Sequence, residues 1–172
     1  KRSHQSDSSK DDTVGHFHGG PGTMIDHRYQ VIRDVGLGTF GRVVECLNLR
    51  QPTYHRGNDS HRTVAIKIVR NIQRYHDSAI IEADICERIN REQSKQHKDF
   101  CAKMLDRFNL SGHYCLVFEC LGKSLYDFLK AHDYRPFPMY CVRDFARQLL
   151  ETLDFLHGFG LIHTDLKVSL PI

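Results

Sequence analysis

Residues 36–43 are Gly36-Leu37-Gly38-Thr39-Phe40-Gly41-Arg42-Val43, a pattern of the form Gly-x-Gly-x-x-Gly followed by one residue and a valine. The same spacing marks dinucleotide-binding turns, where the glycines open a helix. Here the apolar residues of 42–49 show no helical period, so the glycines open a strand instead. The pattern favours a hairpin whose flexible backbone covers the phosphates of a nucleotide, with a plain glycine turn as the alternative.

The next chemical element is a lysine at the end of a strand. Lys67, 26 residues after Gly41, ends the run Val64-Ala65-Ile66-Lys67. An ammonium in a half-buried strand is costly unless it is paired, whereas a phosphate and a carboxylate keep it charged. Glu82, on the following helix, is the natural carboxylate. Taken separately, both residues would be ordinary surface charges, but their order after a glycine hairpin favours the pair.

A third motif, His163-Thr164-Asp165-Leu166-Lys167, begins 125 residues after Gly38. A carboxylate at Asp165 could accept the proton of an incoming hydroxyl. Lys167, two residues further on, could neutralise a transferring phosphoryl group. The motif is short, and its significance comes from the order of all three elements in one chain.

Composition narrows the class of protein. The chain has 172 residues, of which 40% are hydrophobic, so it is not wholly disordered. Lys and Arg number 24 against 21 Asp and Glu, and a net charge of +3 favours neither direct nucleic-acid binding nor a membrane surface. No apolar run approaches the roughly 20 residues that span a bilayer. The six cysteines form no Cys-x-x-Cys pair, and no metal site is predicted.

The order of predicted elements is that of an α+β fold. Residues 1–25 are polar and are predicted to form a flexible tail. An antiparallel sheet of five strands and one helix follows, and then two further helices. The strands are expected at 29–35, 42–49, 63–69, 101–108 and 114–119, and the helices at 75–91, from Ser124, and at 142–156. Ile81, Ile85 and Ile89 are expected to form the buried stripe of the first helix.

In this order, the glycine loop, Val64-Ala65-Ile66-Lys67, the helix glutamate and residues 163–167 resemble a eukaryotic protein kinase. More narrowly, four segments are similar to the LAMMER-type, or Clk-like, dual-specificity kinases: 44–46 (Val-Glu-Cys), 67–71 (Lys-Ile-Val-Arg-Asn), 117–122 (Val-Phe-Glu-Cys-Leu-Gly) and 163–167. Thr164 is the sharpest marker, because most kinases have Arg there. The resemblance covers residues 29–167.

The resemblance implies a kinase N-lobe and hinge over 26–121 and the first helices of an incomplete helical C-lobe over 122–172. Phe118 would be the gatekeeper of an adenine pocket, backbone groups of Glu119 and Leu121 would bind the adenine edge, and Asp127 could reach the ribose. The implied ATP-binding residues are Val35, Gly36, Leu37, Gly38, Thr39, Phe40, Gly41, Val43, Ala65, Lys67, Phe118, Glu119, Leu121 and Asp127. The implied catalytic residues are Lys67, Glu82, Asp165 and Lys167.

The resemblance also implies an activity. The complete enzyme would use ATP and Mg²⁺ to phosphorylate Ser, Thr and Tyr hydroxyls of proteins. Its expected substrates are Ser/Arg-rich splicing factors, and its expected location is the nucleus, with the cytoplasm as a second compartment. Because the Arg that many kinases use to bind a phosphorylated activation loop is replaced by Thr164, the enzyme is expected to need no such phosphorylation.

The kinase pattern stops after Lys167. A kinase loop would continue Pro-Glu-Asn, with the Asn binding magnesium, whereas this chain has Leu170 at the Asn position and ends at Ile172. Leucine cannot ligate a hard cation. We therefore expect a kinase chain cut short by splicing, a frameshift or an incomplete gene sequence, with negligible phosphotransfer. The alternatives are a non-catalytic truncated pseudokinase that binds nucleotide or sequesters partners and, less favoured by the balanced charge of the tail, an RNA-binding protein.

Overall fold

The computed structural model describes residues 14–50 and 63–167, which contain a six-stranded antiparallel sheet and three helices. In chain order these are β1 (Met24–Ile25), β2 (Tyr29–Gly38), β3 (Gly41–Asn48), β4 (Thr63–Val69), α1 (Gln73–Gln96), β5 (Met104–Leu110), β6 (His113–Glu119), α2 (Leu125–Ala131) and α3 (Met139–His157). The strands lie in the order β1-β2-β3-β4-β6-β5. The predicted α+β class is confirmed, with β1 as an added strand.

The alternation of side chains along β4 gives the sheet two different faces. Val64, Ile66 and Ile68 are each at most 2% exposed and join a core formed with residues of β1, β2, β3 and β6. Successive strand residues point to opposite faces, so Ala65, Lys67 and Val69 share the other face. Val69 packs there with Leu116 and with residues of α1. Lys67 therefore faces the helix.

Small residues of α1 pack on this second face. Ala79 and Ala83 are 2% and 0% exposed, and Cys86 packs against the same cluster. The predicted isoleucine stripe is wrong at two of its three positions: Ile81 is 62% exposed and Ile85 is 36% exposed, whereas Ile89 is partly buried. The helix bearing Glu82 lies close enough to β4 for a salt bridge, and alanine permits that approach where isoleucine would be too large.

The sheet begins earlier than the sequence predicts. Residues 14–25 were expected in the flexible tail, yet Ile25 is fully buried and Met24 pairs with Gln30 of β2. The ring of Phe17 also packs against the core. The prediction was wrong for this segment because its few large apolar side chains find partners on the sheet; residues 1–13 lie outside the described part of the chain.

The fourth predicted strand, which is β5 of the structure, starts later than expected, at Met104 rather than at 101. The Gln93 side chain, only 1% exposed, accepts from the backbone N–H of Cys101 at 3.1 Å and donates to the Cys101 carbonyl at 3.1 Å. These bonds satisfy the backbone groups of Cys101 outside the sheet.

The described residues divide into two compact units. One contains the residues up to Arg91 together with Lys103–Cys120, and the other contains Glu92–Ala102 and the residues from Leu121 onward. The predicted boundary after 121 is close to this division, but residues 92–102 belong to the second unit. None of the described helices is long and apolar enough to cross a membrane.

The second unit is built around α2 and α3. Ser124 is the N-cap of α2, as predicted, and its hydroxyl accepts from the backbone N–H of Asp127 at 3.0 Å. In α3, Phe155 is 7% exposed and stacks on Phe100 with ring centroids 4.4 Å apart. Leu149 and Leu150 of the same helix are 46% and 65% exposed, so much of its apolar surface is uncovered.

Candidate active site

The first unit contains an ion pair between a strand and a helix. Lys67 Nζ donates to both carboxylate oxygens of Glu82, each at 2.7 Å. Both side chains are partly exposed, at 28% for Lys67 and 39% for Glu82. The ammonium is thus held in one position while remaining open to a further anionic ligand.

The sheet register collects further predicted residues beside Lys67. Lys67 pairs with Val43 of β3 on one side and with Leu116 of β6 on the other. Ala65, two residues before Lys67, pairs with Phe118. Residues paired directly across neighbouring strands have side chains on the same face. Val43, Ala65 and Phe118 are only partly buried, so they form an apolar surface next to the ammonium.

The glycine pattern forms the hairpin between β2 and β3, with Gly38 paired to Gly41. A Cβ at position 41 would lie 2.4 Å from the carbonyl oxygen of Ile68 on β4, so only glycine fits there. Gly36 has no atom within 4 Å of its Cβ position, which leaves open space beside its backbone. Leu37 and Phe40 are 71% and 63% exposed at the end of the hairpin.

An arginine on β3 braces this hairpin. The Arg42 guanidinium forms two hydrogen bonds to the Asp34 carboxylate, one of them 2.9 Å from Nη2 to Oδ2. These hydrogen bonds hold the pKa of Asp34 below its ordinary range. Val35 lies next to Asp34 in a register irregularity between β2 and β3, where it is 52% exposed.

The predicted hinge residue Glu119 already uses one backbone group. Its N–H donates to the carbonyl of Lys103 at 3.0 Å, and its side chain accepts from the Lys103 N–H at 2.8 Å. The prediction that Glu119 binds an adenine edge therefore rests on its carbonyl oxygen.

The remaining predicted residues lie in the second unit. Leu121 is 39% exposed. The Asp127 carboxylate, predicted to reach a ribose, accepts a hydrogen bond of 2.6 Å from the Ser124 hydroxyl. This contact sets the orientation of the Asp127 side chain at the first turn of α2.

Asp165 and Lys167 form a second acid–base pair. Lys167 Nζ donates to Asp165 Oδ2 at 2.8 Å, and the two side chains are 52% and 73% exposed, respectively. Thr164 has a φ of 61°, in the left-handed region that a β-branched residue rarely occupies. The local backbone is thus strained at the residue before the candidate base.

The Lys167 hydrogen bond and charge lower the pKa of Asp165. Because the pKa is lowered, the Asp165 carboxylate stays ionised as the pH falls through the usual range of carboxyl titration. Its attraction to Lys167 is lost only when the pH falls below that range. The variant Lys167→Met is expected to raise the pKa of Asp165 toward 3.8, whereas Lys130→Met leaves it lowered. Carboxyl-carbon NMR titration measures this, and the same pKa in both variants would show that Lys167 does not perturb Asp165.

In residues 14–50 and 63–167, no group of three or more His, Cys, Asp or Glu side chains is placed to hold a metal ion. The ammonium of Lys67 and the glycine backbone instead suit the negatively charged oxygens of a phosphate.

Comparisons with known proteins agree with this geometry. The protein kinase domain family matches residues 29–169. The dual specificity protein kinase CLK2 of Mus musculus is 41% identical over 165 residues, covering 96% of this chain and 31% of that protein. The serine/threonine-protein kinase AFC1 of Arabidopsis thaliana is 41% identical over 157 residues, covering 91% of this chain and 31% of that protein.

A solved structure gives the same result. The crystal structure of a kinase domain matches with a TM-score of 0.74 and 33% identity, covering 90% of this chain and 42% of that chain. This chain spans only 31% of the length of CLK2 and AFC1. The resemblance to a Clk-like kinase is confirmed. The chain belongs to the protein kinase domain family, in which it is similar to the CLK and AFC kinases.

Proposed function

We propose that this chain is the ATP-binding part of a Clk-like protein kinase. The observation that carries the proposal is the Lys67–Glu82 pair, with both Nζ–Oε distances at 2.7 Å, on the sheet that also forms the glycine hairpin. Many ion pairs in proteins have only a structural role. This one is partly exposed, so a ligand can reach it, and it lies beside apolar side chains that suit a flat ring.

The residues of the first unit fit ATP by their chemistry. Lys67 would hold phosphate oxygens, while Glu82 fixes the ammonium and keeps it charged. Backbone N–H groups of the glycine hairpin would approach the phosphates where no side chain intervenes. Val35, Val43 and Ala65 would enclose the adenine ring, with Phe118 at the back of the pocket. ATP would supply the γ-phosphoryl group that the complete kinase transfers.

In the complete enzyme, Asp165 would accept the proton of the attacking hydroxyl and Lys167 would stabilise charge on the transferring phosphoryl group. We assign Mg²⁺ to that complete enzyme. Its substrates are proposed to be Ser, Thr and Tyr hydroxyls of Ser/Arg-rich splicing factors, and its location the nucleus. The names of the relatives support the dual-specificity and serine/threonine kinase activity in this proposal.

This chain is expected to show negligible phosphotransfer. Leu170 stands where a kinase would have the metal-binding Asn, and loss of metal stabilisation costs several kcal/mol in the transition state. The test measures ATP turnover with a basic Ser/Arg peptide and Mg²⁺. A clear rate that disappears in Lys67→Met would contradict the expected inactivity.

A non-catalytic role is the second candidate, favoured by Leu170 and by the exposed apolar residues of α3. In that case the chain binds nucleotide without turning it over. A rise in melting temperature with ATP separates this role from simple misfolding, because a ligand that binds only the folded state stabilises it. No rise at millimolar ATP, measured on a cooperatively folded chain, would contradict both nucleotide-binding candidates.

A further inference from the structure

A buried arginine connects the segment that precedes the sheet to the tip of the glycine hairpin. Arg70 follows β4 and is 5% exposed. Its Nε donates to the carbonyl of Val14 at 2.8 Å, and its Nη1 donates to the carbonyl of Thr39 at 3.2 Å. Its backbone N–H donates to the carbonyl of Phe40 at 3.1 Å. Thr39 and Phe40, here called the hairpin tip, are thus tied to Val14 by a single residue.

Residues 14–18, here called the N-terminal strap, have further attachments of their own. The Gly15 carbonyl accepts from the Asn71 N–H at 2.8 Å, and the Phe17 carbonyl accepts from Arg42 Nη1 at 3.2 Å. The Phe17 ring meets the His113 ring edge to face, with centroids 5.9 Å apart. The strap therefore lies in a defined place on the first unit and holds the Val14 carbonyl in reach of Arg70.

The hairpin tip is also connected to the helix that carries Glu82. The Phe40 ring meets the Tyr75 ring of α1 edge to face, at 5.6 Å between centroids. The Arg70 guanidinium carbon lies 5.6 Å from the centre of the same ring. Arg70 thus contacts the strap, the hairpin tip and the start of α1.

We propose that Arg70 is a positioning residue for nucleotide binding and that the N-terminal strap completes its action, so that displacing the strap weakens the nucleotide site. This inference rests on the proposed function. A hairpin rich in glycine has many conformations, and fixing its tip before the ligand arrives lowers the ordering cost of binding. A buried guanidinium with several donors can join two carbonyls from separate segments, which a single ammonium does less well.

Two disruptive variants of the full chain, each with a matched control, test the proposal. Arg70→Met removes the side-chain donors but keeps the apolar stem, and Gly15→Val displaces the strap, because Gly15 has a φ of +75° and its Cβ would lie 3.2 Å from the Asn71 carbonyl oxygen. The matched controls are Arg33→Met, on an exposed arginine of β2, and Gly20→Val, where nothing lies within 4 Å. Binding of a fluorescent ATP analogue and amide hydrogen exchange are measured for each.

Arg70→Met and Gly15→Val are each expected to weaken nucleotide affinity by roughly tenfold, within the usual range of coupling between sites. Both should speed hydrogen exchange at residues 38–41 while exchange in β4 and β6 is unchanged, which a general loss of stability would not produce. The double variant should bind the nucleotide at most about twofold more weakly than either single variant, because both substitutions break the same connection between the strap and the hairpin tip. The controls should match the unsubstituted chain, and Arg70→Lys should recover part of the affinity.

Equal affinity and equal exchange in the Arg70 variant and its control would overturn the inference. A double variant whose loss is the product of the single losses would overturn the part that assigns the strap's effect to Arg70. If the unsubstituted chain binds no nucleotide, the proposed function fails, while the exchange rates at residues 38–41 still decide whether Arg70 and the strap order the hairpin.

Discussion

The variant Lys67→Met is expected to bind ATP about a hundredfold more weakly than the unsubstituted chain, a loss of about 2.7 kcal/mol. Methionine keeps most of the length and apolar contact of lysine but removes the positive charge that is proposed to bind the phosphates. It also leaves the Glu82 carboxylate without the ammonium that now lies 2.7 Å away, and that carboxylate would repel a phosphate. Isothermal titration calorimetry at constant salt measures the change.

A lysine outside the candidate site provides the control for this variant. Lys95 is 68% exposed and pairs with Glu92 within α1, so Lys95→Met removes the same charge from the chain without touching the sheet. Its ATP affinity should stay within about twofold of the unsubstituted chain, as expected for a screened surface charge. Equal losses in both variants would mean that net charge, rather than Lys67, governs nucleotide binding.

The second large effect concerns stability. Gly41→Val is expected to destabilise the chain by about 3 kcal/mol, because the new Cβ would lie 2.4 Å from the backbone oxygen of Ile68 and neither strand can move freely. The melting temperature should fall by roughly 10 °C. Circular dichroism during heating measures this fall.

Gly36→Val is the matched control because it lies in the same hairpin and has open space at its Cβ position. Its melting temperature should change by no more than about 2 °C, since valine is well suited to a strand. A similar melting temperature for the two variants would show that the contact between Gly41 and β4 is not a steric limit on the hairpin.

Local sequence patterns predict much of the first unit. The alternation in residues 63–69 predicts β4 with the bounds found, and the Ser124 N-cap predicts the start of α2. The pairing of Lys67 with Glu82 follows from the cost of leaving a charge unpaired on a half-buried strand. The strand and the N-cap depend on residues that are close in sequence, and the ion pair depends on the need of a partly buried charge for a partner.

The errors have a different physical origin. The isoleucines at 81 and 85 repeat with helical spacing, yet they are not the residues that face the sheet. A helix that approaches the sheet closely enough for the Lys67–Glu82 contact needs small residues on the face that meets the sheet. Ala79 and Ala83 form that buried face. Periodicity predicts that the helix has an apolar stripe, but it does not predict which face of the helix packs against the sheet. The size of the partner surface decides that, and it is a property of the tertiary fold.

Residues 14–25 show a second limit. Their composition predicts a tail, and nothing local indicates that Ile25 and Phe17 pack against residues far along the chain. The contacts of Arg70 are likewise invisible in the sequence, because the Val14 and Thr39 carbonyls are backbone groups, which every residue provides. Such long-range contacts can be found only from coordinates.

The proposed function depends on Lys67, held by Glu82, binding the phosphates of the nucleotide. Comparing the affinities of ATP and adenosine in the unsubstituted chain and in Lys67→Met tests it most directly, because adenosine offers the same ring and ribose without phosphate charge. The unsubstituted chain is expected to prefer ATP over adenosine by about a hundredfold, and Lys67→Met is expected to lose this preference while its adenosine affinity is unchanged. An undiminished preference for ATP in Lys67→Met would contradict it.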